Sequence, residues 1–255
     1  GGAKGYKGPG ILLMEQTAEG PLHETWPPPS TQQLLQGLPL RPSAAGDGYH
    51  FSQPAAPSEQ IRHILEHLAP RAFRRPVEAA ELQGLVDLSL DKSHADVVDN
   101  AAFLASLRVP LKAMLSSPRF LMFREQPGPL DDYALATRLS YFLWRSLPDE
   151  RLLQCAASGR LSDPDVLRQQ TERLLNDARS DRFVKDFVGQ WLRVDKVNAT
   201  TPDQKLYPAW DEMLGAVVPR EPEYFFRELV RENLGAGQLI DSDFAFVNRR
   251  LARHY

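Results

Sequence analysis

LDDYALATRLSYFLWRSLPDERLLQCAASGRLSDPDVLRQQTERLLNDARSDRFVKDFVGQW, residues 130–191, is the stretch that decides the fold. Three helix-start signals sit in it: Asp131, Ser162-Asp163-Pro164 and Ser180-Asp181. A short side-chain oxygen at such a position accepts a bond from a backbone N–H that the first turn leaves unpaired. A proline just after it gives up a donor that would have had no partner. Apolar residues at helical period follow each signal. Asp131 opens a helix whose predicted stripe is Leu135, Leu139, Phe142 and Leu143, widened by Tyr141 and Trp144, with a Leu130–Leu135 staple and an end at Pro148. Asp149 starts a short helix through Ala157, with Gly159 as its left-handed stop. Helices over 165–176 and 182–194 follow, the second expected to bury Phe183, Phe187, Val188 and Trp191. The stretch contains no GxSxG, GxGxxG or phosphate loop.

Composition narrows the function classes. The chain has 255 residues, 42% of them hydrophobic and 25% charged, which is globular material able to bury one large core or two modest ones. A net charge of -3 supplies no field for nucleic acid. The cluster Arg71, Arg74 and Arg75 reads as a solvated helix end, since tracking a phosphate backbone takes more contacts than that. The only cysteine, Cys155, leaves no internal disulfide and no Cys-based zinc site, and in LLQCAAS it reads as a small buried hydrophobe. No apolar run reaches the length of a membrane-spanning helix.

Outward from the central stretch the chain changes character twice. Before residue 58, Pro21, Pro27, Pro28, Pro29, Pro39, Pro42, Pro54 and Pro57 forbid a continuous helix or a central strand. Residues 11–19 suit a strand, which needs a partner to satisfy its backbone. Either it pairs with a hairpin partner or, the favoured reading, it is the last strand of a preceding β-rich domain, with 37–57 an extended linker over a helical surface. From Ser58, taken as a cap, a helix carries Ile61, Ile64, Leu65 and Leu68 and ends near Pro70–Pro76. A second runs over 77–90 with Leu82, Leu85, Val86 and Leu90 inward, and a third over 100–116, which Pro110 should kink or split. On the far side, 208–233 must be bent or broken by Pro219 and Pro222. Residues 239–247 are short enough to include a small strand, and 248–255 resume a helical pattern. The predicted fold is mainly α, with multi-helix bundle-like subdomains over 58–127 and 128–255 behind a short β and proline-rich segment, 1–57. The second subdomain is expected to continue past Tyr255.

Candidate chemistry is sparse. His63-Ile64-Leu65-Glu66-His67 has the H-x-x-E-H form of inverted zinc peptidases. His63 and His67, one turn apart, share a helix face and can reach one metal, and Glu66 is then the candidate general base on a bound water. The pattern has only three fixed positions, and no downstream acidic ligand is marked. Ile64, Leu65 and Leu68 also claim the inner face, which leaves the histidines as a surface pair. The acidic pairs Asp131-Asp132, Asp149-Glu150 and Asp241/Asp243 suggest acid–base work on a glycan only if two carboxyl groups face each other across a cleft; nearly all of them read as helix caps. Trp144, Trp191, Phe183, Phe187, Tyr224, Phe225 and Phe226 fall at helical spacing and read as core. Their alternative is a stacking platform for a sugar or a haem.

Four stretches carry a resemblance to planctomycete-type multidomain proteins, which combine paired helical domains of unknown function with c-type cytochrome modules. RAFRRPVEAAEL (71–82) with LKAMLSSPRFLMFRE (111–125) resembles the first helical domain. LDDYALATRLSYFLWRSLPDERLLQCAASGRLSDPDVL (130–167) with RFVKDFVGQWL (182–192) resembles the second, and DSDFAFVNRRLARHY (241–255) its distal part. EGPLHETWPPPS (19–30) resembles the exit from a preceding β-rich domain. The resemblance implies export from the cytoplasm and haem c attached at CxxCH motifs in flanking modules. Cys155 is followed by Ala-Ala-Ser-Gly, so no such motif lies in this segment and no cofactor is expected within it. Pro219, Pro222 and His23 depart from the pattern, the prolines where a continuous charged helix is usual. The expected role is a scaffold docking neighbouring domains, subunits or cytochrome modules, with no nucleic-acid partner. The alternatives are part of a hydrolase or oxidoreductase whose site other domains complete, and a polysaccharide-binding module using exposed tryptophans.

Overall fold

The computed structural model describes residues 17, 28–35, 38, 40–42, 49–51, 57–89, 100–123, 125, 127–203 and 205–255. The chain divides into two units, Gly1–Ala56 and Pro57–Tyr255. In the first, Pro29 occupies the opening turn of a short helix, α1 (Pro29–Leu34), where a missing N–H costs nothing. Two strands, β1 (Leu40–Pro42) and β2 (Tyr49–Phe51), pair antiparallel with Leu40 opposite Phe51. This corrects the plain extended linker expected over 37–57, because the chain there folds back and pairs with itself. The strand expected over 11–19 lies outside the described residues.

The second unit is helical. Its first part holds α2 (Pro57–Phe73), α3 (Ala79–Asp87), α4 (Asn100–Ser116) and the single turn α5 (Pro118–Leu121). Ser58 lies inside α2 and so does not cap it, since the helix already begins at Pro57. Ile61, Ile64 and Leu65 are buried, and each stabilises the fold by about 1.5–3 kcal/mol relative to exposure. α3 is shorter than 77–90 because the Ser89 hydroxyl donates to the Val86 carbonyl and closes its last turn; Leu90 lies outside the described residues. α4 runs through Pro110 as one element, so the expected split does not occur. Ala69, Ala72, Phe73 and Met114 form the core of this part, with Leu85, Leu111 and Phe120 packed against it.

The second part is built around α6 (Asp132–Trp144), which packs against α7 (Glu150–Ala157), α8 (Pro164–Leu175) and α9 (Asp181–Trp191). Ala136, Leu143, Trp144, Leu152, Ala156, Leu161 and Leu174 form its core, and Cys155 packs against that core half-buried. Two predicted faces are rotated. α6 buries Ala136, Thr137, Ser140, Leu143 and Trp144 while Phe142 is 61% exposed. α9 buries Val184, Val188 and Gly189, leaving Phe187 40% and Trp191 50% exposed. The physical reason is close approach. α6 has three helical neighbours, and the face it buries against them carries the small Ala136, Thr137 and Ser140, side chains that allow close approach where a large aromatic does not. Trp144 is fully buried, its Nε1–H donating to the Leu174 carbonyl at 2.9 Å.

Helix ends follow local chemistry, with two surprises. Asp131, Asp149 and Asp163 cap α6, α7 and α8 as expected, and Gly159 takes φ 64. Ser180 does not cap α9; its hydroxyl donates back to the Leu175 carbonyl at 2.8 Å. Asp177 caps a 3-10 turn, Ala178–Ser180, that leads straight into α9. α6 stops at Arg145, which is left-handed at φ 51, several residues before Pro148. The pattern over 208–233 is broken, as expected, into α10 (Glu212–Val217) and α11 (Arg220–Arg231), with Pro219 at the junction. A 3-10 turn, Ala236–Leu239, begins the 239–247 region, which contains no strand. Asn248 caps α12 (Arg249–His254) by accepting from the Leu251 N–H at 2.9 Å. Among the described residues no helix is long and apolar enough to cross a membrane.

Candidate functional site

The histidine pair sits on the solvent side of α2. His63, Glu66 and His67 are all exposed, because Ile61, Ile64 and Leu65 take the inner face. The two rings meet edge to face with centroids 4.7 Å apart, and His67 Nδ1 donates to the His63 carbonyl at 3.0 Å. Among the described residues no third His, Cys, Asp or Glu joins them in a group able to hold a metal ion. A two-point exposed pair of this kind offers neither the ligand number nor the dry cavity that zinc catalysis uses.

The carboxylates weighed for acid–base work are occupied structurally. Asp131 accepts from the Ala134 N–H at 2.7 Å, and Asp132 from the Leu161 N–H at 2.7 Å, tying α6 to the α7–α8 turn. Asp149 accepts from the Leu152 N–H and from both terminal nitrogens of Arg173, at 2.7 and 3.0 Å. Burial pushes its carboxyl up, but the Arg173 and Leu152 bonds outweigh that and hold it below the ordinary range. Asp241 and Asp243 are exposed, and among the described residues neither belongs to a group able to hold a metal ion.

Arg74 is the residue that sequence reasoning placed most wrongly. It was expected in a solvated cluster, yet it is 4% exposed and left-handed at φ 59, just past the end of α2. Its guanidinium donates to the carbonyls of Phe120 at 3.0 Å, Arg119 at 2.8 Å, Met122 at 3.1 Å and Ala72 at 3.3 Å. The same group lies 5.7 Å from the ring centroids of both Phe123 and Tyr141. Arg74 thereby ties the end of α2 to α5 and reaches α6. Around it opens a cleft of about 700 Å³, lined by Arg75, Arg119, Glu125, Asp131, Tyr133 and Thr137 among others. Its charges are largely paired: Arg75 and Arg119 both bind Glu81, and Arg138 binds Glu125. Only the contacts of a folded chain distinguish Arg74 from the neighbouring arginines, so no sequence signal could have singled it out.

A second cleft, of about 500 Å³, lies over α6 and α9. Tyr141, Phe142, Phe183, Phe187 and Trp191 line it, with Arg145, Asp186 and Gln190 supplying polar groups. Its rings form a chain. Phe142 to Phe183 is 4.9 Å between centroids, Phe183 to Phe187 5.6 Å, and Phe187 to Trp191 5.7 Å. Phe226 on α11 stacks behind Phe187 at 5.1 Å and fixes its plane. Arg145 binds Asp186 across the groove. The sequence did place these aromatics at helical spacing; what it could not place was the line between inside and outside.

Such a fold defines a mainly α protein whose large unit strings two helical regions in tandem. Residues 130–255 match the family model PSD4, protein of unknown function (DUF1592), and residues 60–125 match PSD5, protein of unknown function (DUF1595). The two matched segments lie side by side in sequence. No curated protein and no solved structure matches it.

Proposed function

We propose that this chain is a scaffold within a larger, exported, cytochrome-linked redox protein. In this proposal 58–127 and 128–255 are its two helical domains, 1–57 is the tail and linker of a preceding β-rich domain, and haem c is carried by flanking modules. Its partners are those modules or neighbouring subunits. The observation that supports it best is a set of partly exposed apolar residues on α4, on α5 and just after it: Leu104, Val109, Leu115, Leu121, Met122 and Phe123. Single exposed apolar residues are ordinary, but in this proposal a set of this density is what neighbouring modules cover. The tandem domains of unknown function and the use of Asp131, Asp149 and Arg74 as structural ties agree with a load-carrying role. The test is the natural full-length protein, exported from its host and assayed by the pyridine haemochrome spectrum. Covalent haem c in flanking modules is the expected result, with Leu121→Asp or Phe123→Asp loosening those modules in limited proteolysis. A full-length product without covalent haem refutes the proposal.

A second function, polysaccharide binding, is favoured by one specific observation: Trp191 is half exposed and lines a groove with Phe142 and Phe187. Retention of the chain on insoluble polysaccharide tests it.

A further inference from the structure

The groove over α6 and α9 is more than an exposed apolar patch, because of what stands at its polar edge. Arg145 ends α6 in the left-handed region at φ 51, and its backbone N–H bonds back to the Tyr141 carbonyl at 3.1 Å. A side chain with a β-carbon is strained there, and the surrounding contacts must hold it in place. The held conformation delivers the guanidinium to Asp186 on α9, fixing donor and acceptor together beside the aromatic rings. Among the described residues the rest of the Arg145 guanidinium, the second Asp186 oxygen and the Gln190 amide have no protein partner at this rim. Arg145 and Asp186 cancel, and no other charged side chain lines the groove, so it offers no net charge.

An apolar wall of tilted aromatic rings with a net-neutral donor–acceptor edge matches one ligand chemistry closely. A pyranose ring presents a flat C–H face that packs on an aromatic plane, and its equatorial hydroxyls radiate outward as donors and acceptors together. Carboxylate and guanidinium side chains bind adjacent hydroxyls in pairs. The eight lining residues are few beside the 20–30 residues per side that a standard protein interface takes, which argues for a small ligand over a protein partner.

We propose that this groove is a binding site for a ring of a neutral glycan. Trp191 and Phe187 form the stacking wall, and Arg145, Asp186 and Gln190 bind the hydroxyls. The proposal rests on the polysaccharide-binding function above and locates it. The experiment is titration of the whole chain with cellohexaose, laminarihexaose, xylohexaose and mannohexaose, followed by calorimetry and tryptophan fluorescence, with hexagalacturonate as the anionic control. At least one neutral hexasaccharide is expected to bind at one site per chain. Trp191→Ala and Asp186→Ala should each weaken it at least tenfold, with thermal melting of Trp191→Ala close to wild type. Binding that survives Trp191→Ala refutes the groove while leaving polysaccharide binding elsewhere on the chain intact. Failure of every neutral hexasaccharide at millimolar concentration refutes both. Equal or tighter binding of hexagalacturonate overturns the assignment to a neutral ligand. Self-association of the chain that Trp191→Ala abolishes would show the groove to be an interface between copies instead.

Discussion

Replacing Arg74 separates two contributions that act at one residue. Four carbonyls accept from its guanidinium, three of them on or beside α5. Bonds from a charged donor contribute about 1.5–3 kcal/mol each when measured singly, but bonds from one group are not additive. Arg74→Ala leaves those carbonyls facing a void at a site only 4% exposed, so a loss of about 3–4 kcal/mol is expected. Alanine keeps the left-handed strain at φ 59, whereas glycine removes it. After the larger unfolded-state entropy of glycine is subtracted, Arg74→Gly should be more stable than Arg74→Ala by about 0.5–1 kcal/mol. Arg74→Lys keeps the charge but loses the planar fork and should fall between wild type and Arg74→Ala, at about 2 kcal/mol. The assay is urea unfolding of the whole chain followed by helical circular dichroism. A cycle with Tyr141→Leu adds the reach to α6, with a coupling of about 0.5–1 kcal/mol expected. An Arg74→Ala midpoint equal to wild type, or Arg74→Gly less stable than Arg74→Ala, would refute this account.

Three further outcomes follow from the second helical part. Trp144→Phe removes the 2.9 Å bond to Leu174 and replaces the indole under Arg179, whose guanidinium carbon lies 3.4 Å from its centroid, with a smaller ring; a loss of about 2 kcal/mol is expected in the same urea assay. The side-chain and backbone bonds from Arg179 lower the Asp177 carboxyl from 3.8 to about 2. A group bound better as its anion stabilises the fold above its unfolded value and loses that contribution as pH falls toward its folded value. The wild-type advantage over Asp177→Asn should therefore be full at pH 6 and shrink between about pH 4 and about pH 2. A pH-independent difference would contradict it. Gly215→Ala should lower the melting temperature, since a β-carbon there would stand 2.4 Å from Asn198 Oδ1 and 3.2 Å from the Trp210 ring; Asn198→Ala in the same chain should recover part of the loss.

Much of the helical plan is legible in local chemistry. Asp131, Asp149, Asp163 and Asn248 each place an oxygen over an unpaired N–H, and those bonds form between near neighbours whatever the rest of the chain does. Pro219 breaks its helix for the same kind of reason, having no N–H to give. Pro110 shows the limit, because a buried proline in α4 is carried by the packing around it and the helix continues. The histidines at 63 and 67 were legible too, since apolar neighbours at helical spacing already claimed the inner face.

The sequence by itself determined which segments are helical and where most of them start, because capping and periodicity act over one or two turns. Only the tertiary structure decided which side of each helix is buried and which polar groups are spent. α6 and α9 have apolar residues on more than one face, and the choice among them is made by how closely neighbouring helices approach. That choice drew Ala136 and Ser140 inward and left Phe142 and Trp191 at the surface, while the carbonyls on and beside α5 took Arg74 from an expected solvated end into a buried site. Burial is a property of the assembled contacts, and three arginines in near succession look alike until the carbonyls of α5 arrive around one of them.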